Sequence, residues 1–146
     1  YLLLRAEQEQ RLRQQPLIGV LDGGLDLDFH LFTKLFYRKG WLSKAEFLLL
    51  ERLYTLLRLH LPPPEMFIYL KADISVITER FRHRARSLEI ATLDDLQSIQ
   101  ALLEEWIPTN EPGCLFCIDT TQDDALYSNT LARLRAEIQR RLGGTG

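Results

Sequence analysis

The sequence predicts an α/β domain with a parallel sheet, because three short apolar runs alternate with longer segments of helical period. The runs are Leu17-Ile18-Gly19-Val20-Leu21, Met66-Phe67-Ile68-Tyr69-Leu70 and Cys114-Leu115-Phe116-Cys117-Ile118. Each is a continuous apolar stretch bounded by Pro, Gly or charged residues, the pattern of a strand buried on both faces. Helical segments separate them, and strands joined through helices form parallel sheets. The 146 residues, 46% hydrophobic, suit one domain able to bury a core of its own.

In chain order, residues 1–14 read as a helix with Leu4 and Leu12 on its apolar side, stopped by Pro16. After the first run, Asp22-Gly23-Gly24 turns the chain into a helix whose Leu25, Phe29, Phe32, Leu35 and Phe36 fall at helical spacing. Gly40 suits its C-terminal cap. Ser43 followed by Glu46 has the capping-box pattern and opens a helix to about His60, ended by Pro62-Pro63-Pro64. After the second run, Asp73 or Ser75 caps a helix with Ile74, Ile77 and Phe81 on one face. Thr92 with Asp95 opens another to Trp106, broken by Pro108 and Pro112-Gly113. A closing helix is expected from about Gln122 to Leu142, so the domain covers 1–142 and residues 143–146 are a tail.

Eighteen basic against twenty acidic residues give a net charge of −2, which argues against a general nucleic-acid binder. No apolar run approaches the ~20 residues of a membrane helix. Two cysteines do not make a disulfide scaffold, so a reducing, cytoplasmic setting is expected. The start of the chain lacks a signal-peptide pattern. The only methionine is Met66, so a fragment of a longer protein is expected.

The densest chemical signal is Arg80-Phe81-Arg82-His83-Arg84-Ala85-Arg86, with four of the fourteen arginines. On a helix Arg80 and Arg84 share a face, and guanidinium forks so arranged suit phosphate oxygens. The same cluster also reads as a solvated basic face paired with Glu79 and Glu89. Asp22 stands at the C-terminal end of a predicted strand, where α/β sheets bind ligands, and an Asp there can hold Mg²⁺ through water. Equally, Asp22 or Asp26 can simply cap the following helix. Cys114 and Cys117 would point to opposite faces of a strand and read as core residues. His30, His60 and His83 lack metal spacing and read as structural or solvated. No G-x-x-x-x-G-K-[ST] occurs.

Taken in order, several stretches resemble the deoxynucleoside kinase family over about Tyr1 to Ile138. They are Leu21-Asp22-Gly23-Gly24 with Asp28 and Leu35-Phe36-Tyr37, then Leu42-Ser43, Leu61-Pro62-Pro63-Pro64 and Phe67 to Ala72. Arg80, Arg84, Arg86 and Glu89 match a lid pattern R-x-x-x-R-G-R-x-x-E, with Ala85 at the usual glycine. Trp106 and Cys117-Ile118-Asp119-Thr120 lead into a base-binding turn at Gln122, Asp123 and Asp124.

The resemblance implies an α/β fold with a three-layer parallel sheet of the P-loop nucleoside kinase type. It would be incomplete here, as the C-terminal two-thirds. The three runs would be its third, fourth and fifth strands, leaving 17–21 without its neighbour and unpaired with 66–70. The implied activity is ATP-dependent transfer of the γ-phosphoryl group to the 5′-hydroxyl of a deoxynucleoside, in nucleotide salvage. ATP and Mg²⁺ are the implied cofactors. Arg80, Arg84 and Arg86 would clamp donor phosphates, and Asp22 would stand near Mg²⁺. Asp28 would contact the base and Glu89 the deoxyribose. A homodimer is expected, with neither nucleic acid nor membrane insertion.

Gly23 and Gly24 depart from the family, which has an Arg-Ser pair there whose arginine helps orient the 5′-hydroxyl. This departure admits a second outcome, a catalytically degenerate accessory or structural subunit of a larger complex, as a relative is in mitochondrial respiratory complex I. A nucleoside monophosphate kinase-like enzyme would share the lid logic. Residues 1–146 alone are expected to be inactive, since they hold no phosphate-cradling loop.

Overall fold

A computed structural model describes residues 1–84, 92–110, 113–124 and 126–143, with Arg84 and Gly143 described by backbone alone. The chain divides into two compact units, one from 1–64 with 97–110, the other from 65–96 with 111–146. Among the described residues no helix is long and apolar enough to cross a membrane.

The first unit is helical. Helix α1 (Leu2–Arg13) buries Leu2, Ala6 and Glu9, one face at helical spacing. Leu4 lies two residues, and so about 200°, around from Leu2 and is exposed. A second helical run is continuous but not uniform: α2 (Leu25–Leu27), a π-helical turn (Asp28–Thr33) and α3 (Lys34–Arg38). The hydroxyl of Thr33 donates to the Asp28 carbonyl at 3.0 Å, five residues back, which helps hold the widened turn. Gly40 ends the run at φ +71°, as its C-terminal role requires.

Helix α4 (Lys44–His60) starts on the expected capping box. The Ser43 N–H donates to Glu46 at 2.8 Å, and the Glu46 N–H donates to Ser43 Oγ at 3.3 Å. Leu50, Leu53, Tyr54 and Leu57 of α4 pack against Leu2, Ala6, Leu25 and Phe29. Phe29 and Tyr54 stack with ring centroids 4.3 Å apart.

The run 17–21 is not a strand. Leu17, Ile18 and Val20 are 60–79% exposed, and none of their backbone groups pairs with another segment among the described residues. An apolar, β-prone sequence becomes a strand only where a neighbour completes its hydrogen bonds, and among the described residues none does. The expected strand therefore does not form.

In the second unit, β1 (Phe67–Lys71) and β2 (Leu115–Asp119) form a two-stranded parallel sheet in register from Phe67 with Leu115 to Lys71 with Asp119. The parallel pairing agrees with the α/β reading, one residue later at each bound. Helix α5 (Ile74–Arg84) follows β1, with the Ile77 N–H donating to the Asp73 carbonyl. Helix α6 (Asp95–Trp106), whose residues from Gln97 on belong to the first unit, opens as expected, the Thr92 N–H and hydroxyl both donating to Asp95 at 2.7 and 2.9 Å. Ile107–Thr109 adds a 3₁₀ turn at Pro108.

Cys117 is exposed and Cys114 half-buried, so neither is the core residue expected. Ile118 takes the buried face of β2, and strand alternation turns Cys117 outward. Helix α7 (Ser128–Gly143) begins six residues later than expected. The carboxylates of Asp123 and Asp124 capture the backbone N–H groups of residues 124, 126, 128, 129 and 130 and hold a non-helical turn.

Candidate functional site

Two clusters carry the candidate residues, one in each unit. In the first unit, the turn after 17–21 is built by Gly23 at φ +83° and Gly24 at φ +111°, conformations that L side chains rarely adopt. Asp22 precedes it, exposed and without a hydrogen bond or ion pair among the described residues. Neither expected cap forms: Gly24 occupies the N-cap of α2, and Asp26 turns inward instead.

Asp28, 4% exposed, opens the π-turn. Its Oδ2 accepts from Arg5 Nε at 2.9 Å, and Oδ1 has no protein donor among the described residues. Arg5 also donates to Gln8 Oε1 at 3.1 Å. Its Nη2 would lie 3.9 Å from a Cβ placed on Gly23. A donor and an acceptor thus stand side by side on α1 and the π-turn.

Behind them is a buried ionic network. Arg58 of α4 donates to both oxygens of Asp26 and both of Glu9, at 2.5–3.0 Å. Arg13 adds a second cation to Glu9 at 2.8 Å. Burial pulls the Arg58 guanidinium down, but its charge-assisted hydrogen bonds to both carboxylates outweigh that and hold it protonated above the usual guanidinium range. Tyr54 Oη donates to Asp26 Oδ1 at 2.7 Å and lies 3.0 Å from His30 Nε2. Because a carboxylate only accepts, the Tyr54 proton is committed to Asp26 and His30 must donate through Nε2. Nδ1 of His30 is then a bare lone pair, buried without a partner among the described residues. Burial, with the charges of Lys34 and Arg58, pushes the His30 imidazolium down to about 4. Burial beside the Asp26 charge also raises the Tyr54 hydroxyl above the usual phenol range. The bland reading of His30 as structural holds: it stacks on Trp106 at 5.4 Å.

In the second unit, a cleft of about 410 Å³ opens at the C-terminal ends of β1 and β2, lined by Asp73, Asp119, Thr121, Gln122, Asp123 and Asn129. Parallel sheets bind ligands at this edge. The Asp73 N–H donates to Thr121 Oγ1 at 3.2 Å, tying the two strand ends together. The Thr121 N–H holds the Asp119 carboxyl below its ordinary range. Asp123 is lowered first by the Thr130 hydroxyl, with which it makes a very short contact, and then by backbone N–H groups. Asp124 is lowered by the Ser128 N–H. Both carboxylates are thus engaged in building the turn, while Gln122 is exposed beside the cleft.

Arg80 reaches the same strand end. Its Nη1 donates to Thr120 Oγ1 at 3.1 Å and its Nη2 to the Thr120 carbonyl at 2.7 Å. Its Cζ lies 5.3 Å from the centroid of the Tyr127 ring. The backbone of Arg84 closes α5, while Arg86 and Glu89 lie outside the described residues. His83 and Glu79 form a 3.7 Å pair on an exposed face, the solvated pairing expected for part of this cluster.

The structure brings Arg80 to Thr120 and Tyr127, on either side of Gln122, Asp123 and Asp124 in sequence, and brings Asp28 to Arg5. Sequence reasoning missed Arg5, Tyr127 and the Arg58 network. Their partners are 23 to 49 residues away, beyond the reach of helical spacing, and Tyr127 lay inside a stretch read as helix. Among the described residues, no group of three or more His, Cys, Asp or Glu is arranged to hold a metal ion.

In a comparison with known families, residues 1–140 match the family described as deoxynucleoside kinase. No curated protein matches the chain.

Proposed function

The chain belongs to the deoxynucleoside kinase family, and from that premise we propose that it serves ATP-dependent phosphorylation of a deoxynucleoside at its 5′-hydroxyl. The observation that carries this reading beyond the family is the Arg80 anchorage at the sheet's C-terminal edge. It fixes a guanidinium on Thr120, at the end of the strand whose following residues Thr121, Gln122 and Asp123 line a polar cleft. The fold this implies is a three-layer parallel sheet of the P-loop kinase type, of which residues 1–146 supply part.

In the reaction, the 5′-oxygen attacks the γ-phosphorus, the bond to the β-phosphate oxygen breaks, and ADP departs with that electron pair. The hydroxyl proton passes to a general base. Arg80, Arg84 and Arg86 are assigned to the donor phosphates, where planar forks stabilise charge as it spreads over the transferred oxygens. Gln122 offers an amide to the donor base, with Asp123 and Asp124 building the turn that carries it. Asp28 and Arg5 offer an acceptor and a donor side by side to the nucleoside base, and Glu89 is assigned to the deoxyribose.

Asp22 fits Mg²⁺, since it is exposed and unengaged among the described residues, and Mg²⁺ commonly takes one or two carboxylates with phosphates and waters. Mg²⁺ held there would supply charge neutralisation to the donor phosphates.

A second reading, a kinase-like subunit without catalysis, is favoured by Gly23 and Gly24. Their positive φ angles make the turn one that an Arg-Ser pair would enter only under strain. The two readings separate in one assay of the protein at its full natural length, with MgATP and each of the four deoxynucleosides. The kinase reading expects ADP and a deoxynucleoside 5′-monophosphate in equal amounts. It also expects Asp28→Asn to raise KM for the nucleoside more than for ATP. Nucleotide left intact with all four substrates supports the subunit reading.

A further inference from the structure

We infer that Tyr127 is a positioning residue, one that holds the Arg80 guanidinium in place for the donor nucleotide. The inference rests on the assignment of Arg80 to the nucleotide.

Tyr127 is the one non-glycine residue with positive φ among the described residues, at +54°. A tyrosine gains nothing from that backbone region, which favours Gly, Asn and Asp. Its backbone is nevertheless fixed there. The Tyr127 N–H donates to the Asp124 carbonyl at 3.0 Å, and the Tyr127 carbonyl accepts from the Leu131 N–H at 2.9 Å. The residue is therefore the joint between the carboxylate-built turn and α7. Glycine would meet the backbone requirement at lower cost, so the strained position bears a ring for a reason that lies in the side chain.

The side chain has one visible task. Its ring stands 5.3 Å from Arg80 Cζ, within cation–π range, and is 37% exposed. Thr120 binds two nitrogens of the same guanidinium. Thr120 is 2% exposed and itself anchored, its hydroxyl donating to the Lys71 carbonyl at 3.0 Å. Arg80 is thus held at its end by a fixed strand terminus and over its plane by an aromatic face. An arginine on an exposed helix otherwise samples many rotamers, and fixing it beforehand removes an entropic cost from ligand binding. A leucine at 127 would fill similar space without a π face.

The test uses the protein at its full natural length and reads mobility and binding separately. Nitrogen-15 NMR of the Arg80 side chain reports how fast its guanidinium reorients. MgATP affinity is measured by calorimetry in wild type, Tyr127→Phe, Tyr127→Leu, Arg80→Met and the Tyr127→Leu/Arg80→Met double variant. Tyr127→Phe is expected to keep Arg80 restrained and to bind MgATP within about twofold of wild type. Tyr127→Leu should mobilise Arg80 and weaken MgATP by about 3- to 10-fold, the range of a partly exposed cation–π contact. In the Arg80→Met background the second change should add nothing.

Tyr127→Gly separates this role from a structural one, since it relieves the backbone: MgATP affinity should fall while the melting temperature holds. An Arg80 that stays restrained in Tyr127→Leu, or losses that add in the double variant, would overturn the inference while leaving the Arg80 assignment intact. An Arg80→Met protein that binds MgATP like wild type would instead overturn the Arg80 assignment itself.

Discussion

Arg58 shows what a single side chain can hold together. It joins Glu9 of α1 and Asp26 of α2 from α4, and both carboxylates are nearly out of water. Removing it leaves two buried charges with reduced compensation, and such a break is far costlier than the pair's own net worth. Arg58→Met is expected to destabilise the chain by about 3 kcal/mol in urea unfolding, the lower end of the usual range. Arg13 still pairs Glu9, and Tyr54 still binds Asp26.

His30 gives a pH signature at the same scale. Its folded value, about 4, lies below the ordinary 6.5, so the unfolded chain binds the extra proton more readily. The stability from neutral His30 is then complete above pH 6.5 and is lost as pH falls from 6.5 towards 4. Subtracting the pH profile of His30→Phe from that of wild type should isolate this loss. A flat difference would contradict the burial assigned to His30. None of this network was legible in the sequence, because the ion pairs span 32 and 49 residues and no local pattern pairs them. The arginine cluster at 80–86 was legible because its density alone marks it.

Elements were readable where the signal is local. Ser43 and Glu46 announce the start of α4, and both halves of the capping box form. Ser43→Ala is expected to cost about 1 kcal/mol in thermal or urea unfolding. Where structure depends on a distant neighbour, the same reading fails. The run 17–21 has a strand's composition, yet strand formation is a property of a pair, and no segment among the described residues supplies the other half. Its amides should exchange with solvent within seconds in residues 1–146, while the paired amides of β1 and β2 are protected. The late start of α7 has a third cause. Asp123 and Asp124 compete for the N–H groups a helix would use, and periodicity alone does not register that competition.

At the scale of the whole molecule, the order of elements and the family match over residues 1–140 point the same way. A parallel strand pair followed by helices places the candidate nucleotide residues at the C-terminal edge of a sheet, as α/β architecture requires. The parallel class of the sheet was legible from the alternation of apolar runs and helices, whereas the strand end carrying the cleft was not, since that alternation pointed to Asp22 after 17–21. The pairing of Asp28 with Arg5 was not, since it depends on how α1 lies against the π-turn. The central claim is phosphoryl transfer assisted by the lid arginines, and Arg84 tests it most directly. In the protein at full natural length, kcat/KM for ATP-dependent phosphorylation of the preferred deoxynucleoside is compared between wild type and Arg84→Ala, with Arg84→Lys alongside. The account predicts a loss of about 10²-fold or more in Arg84→Ala, partial recovery in Arg84→Lys, and an unchanged melting temperature. Equal kcat/KM in wild type and Arg84→Ala, or no turnover in either, would contradict it.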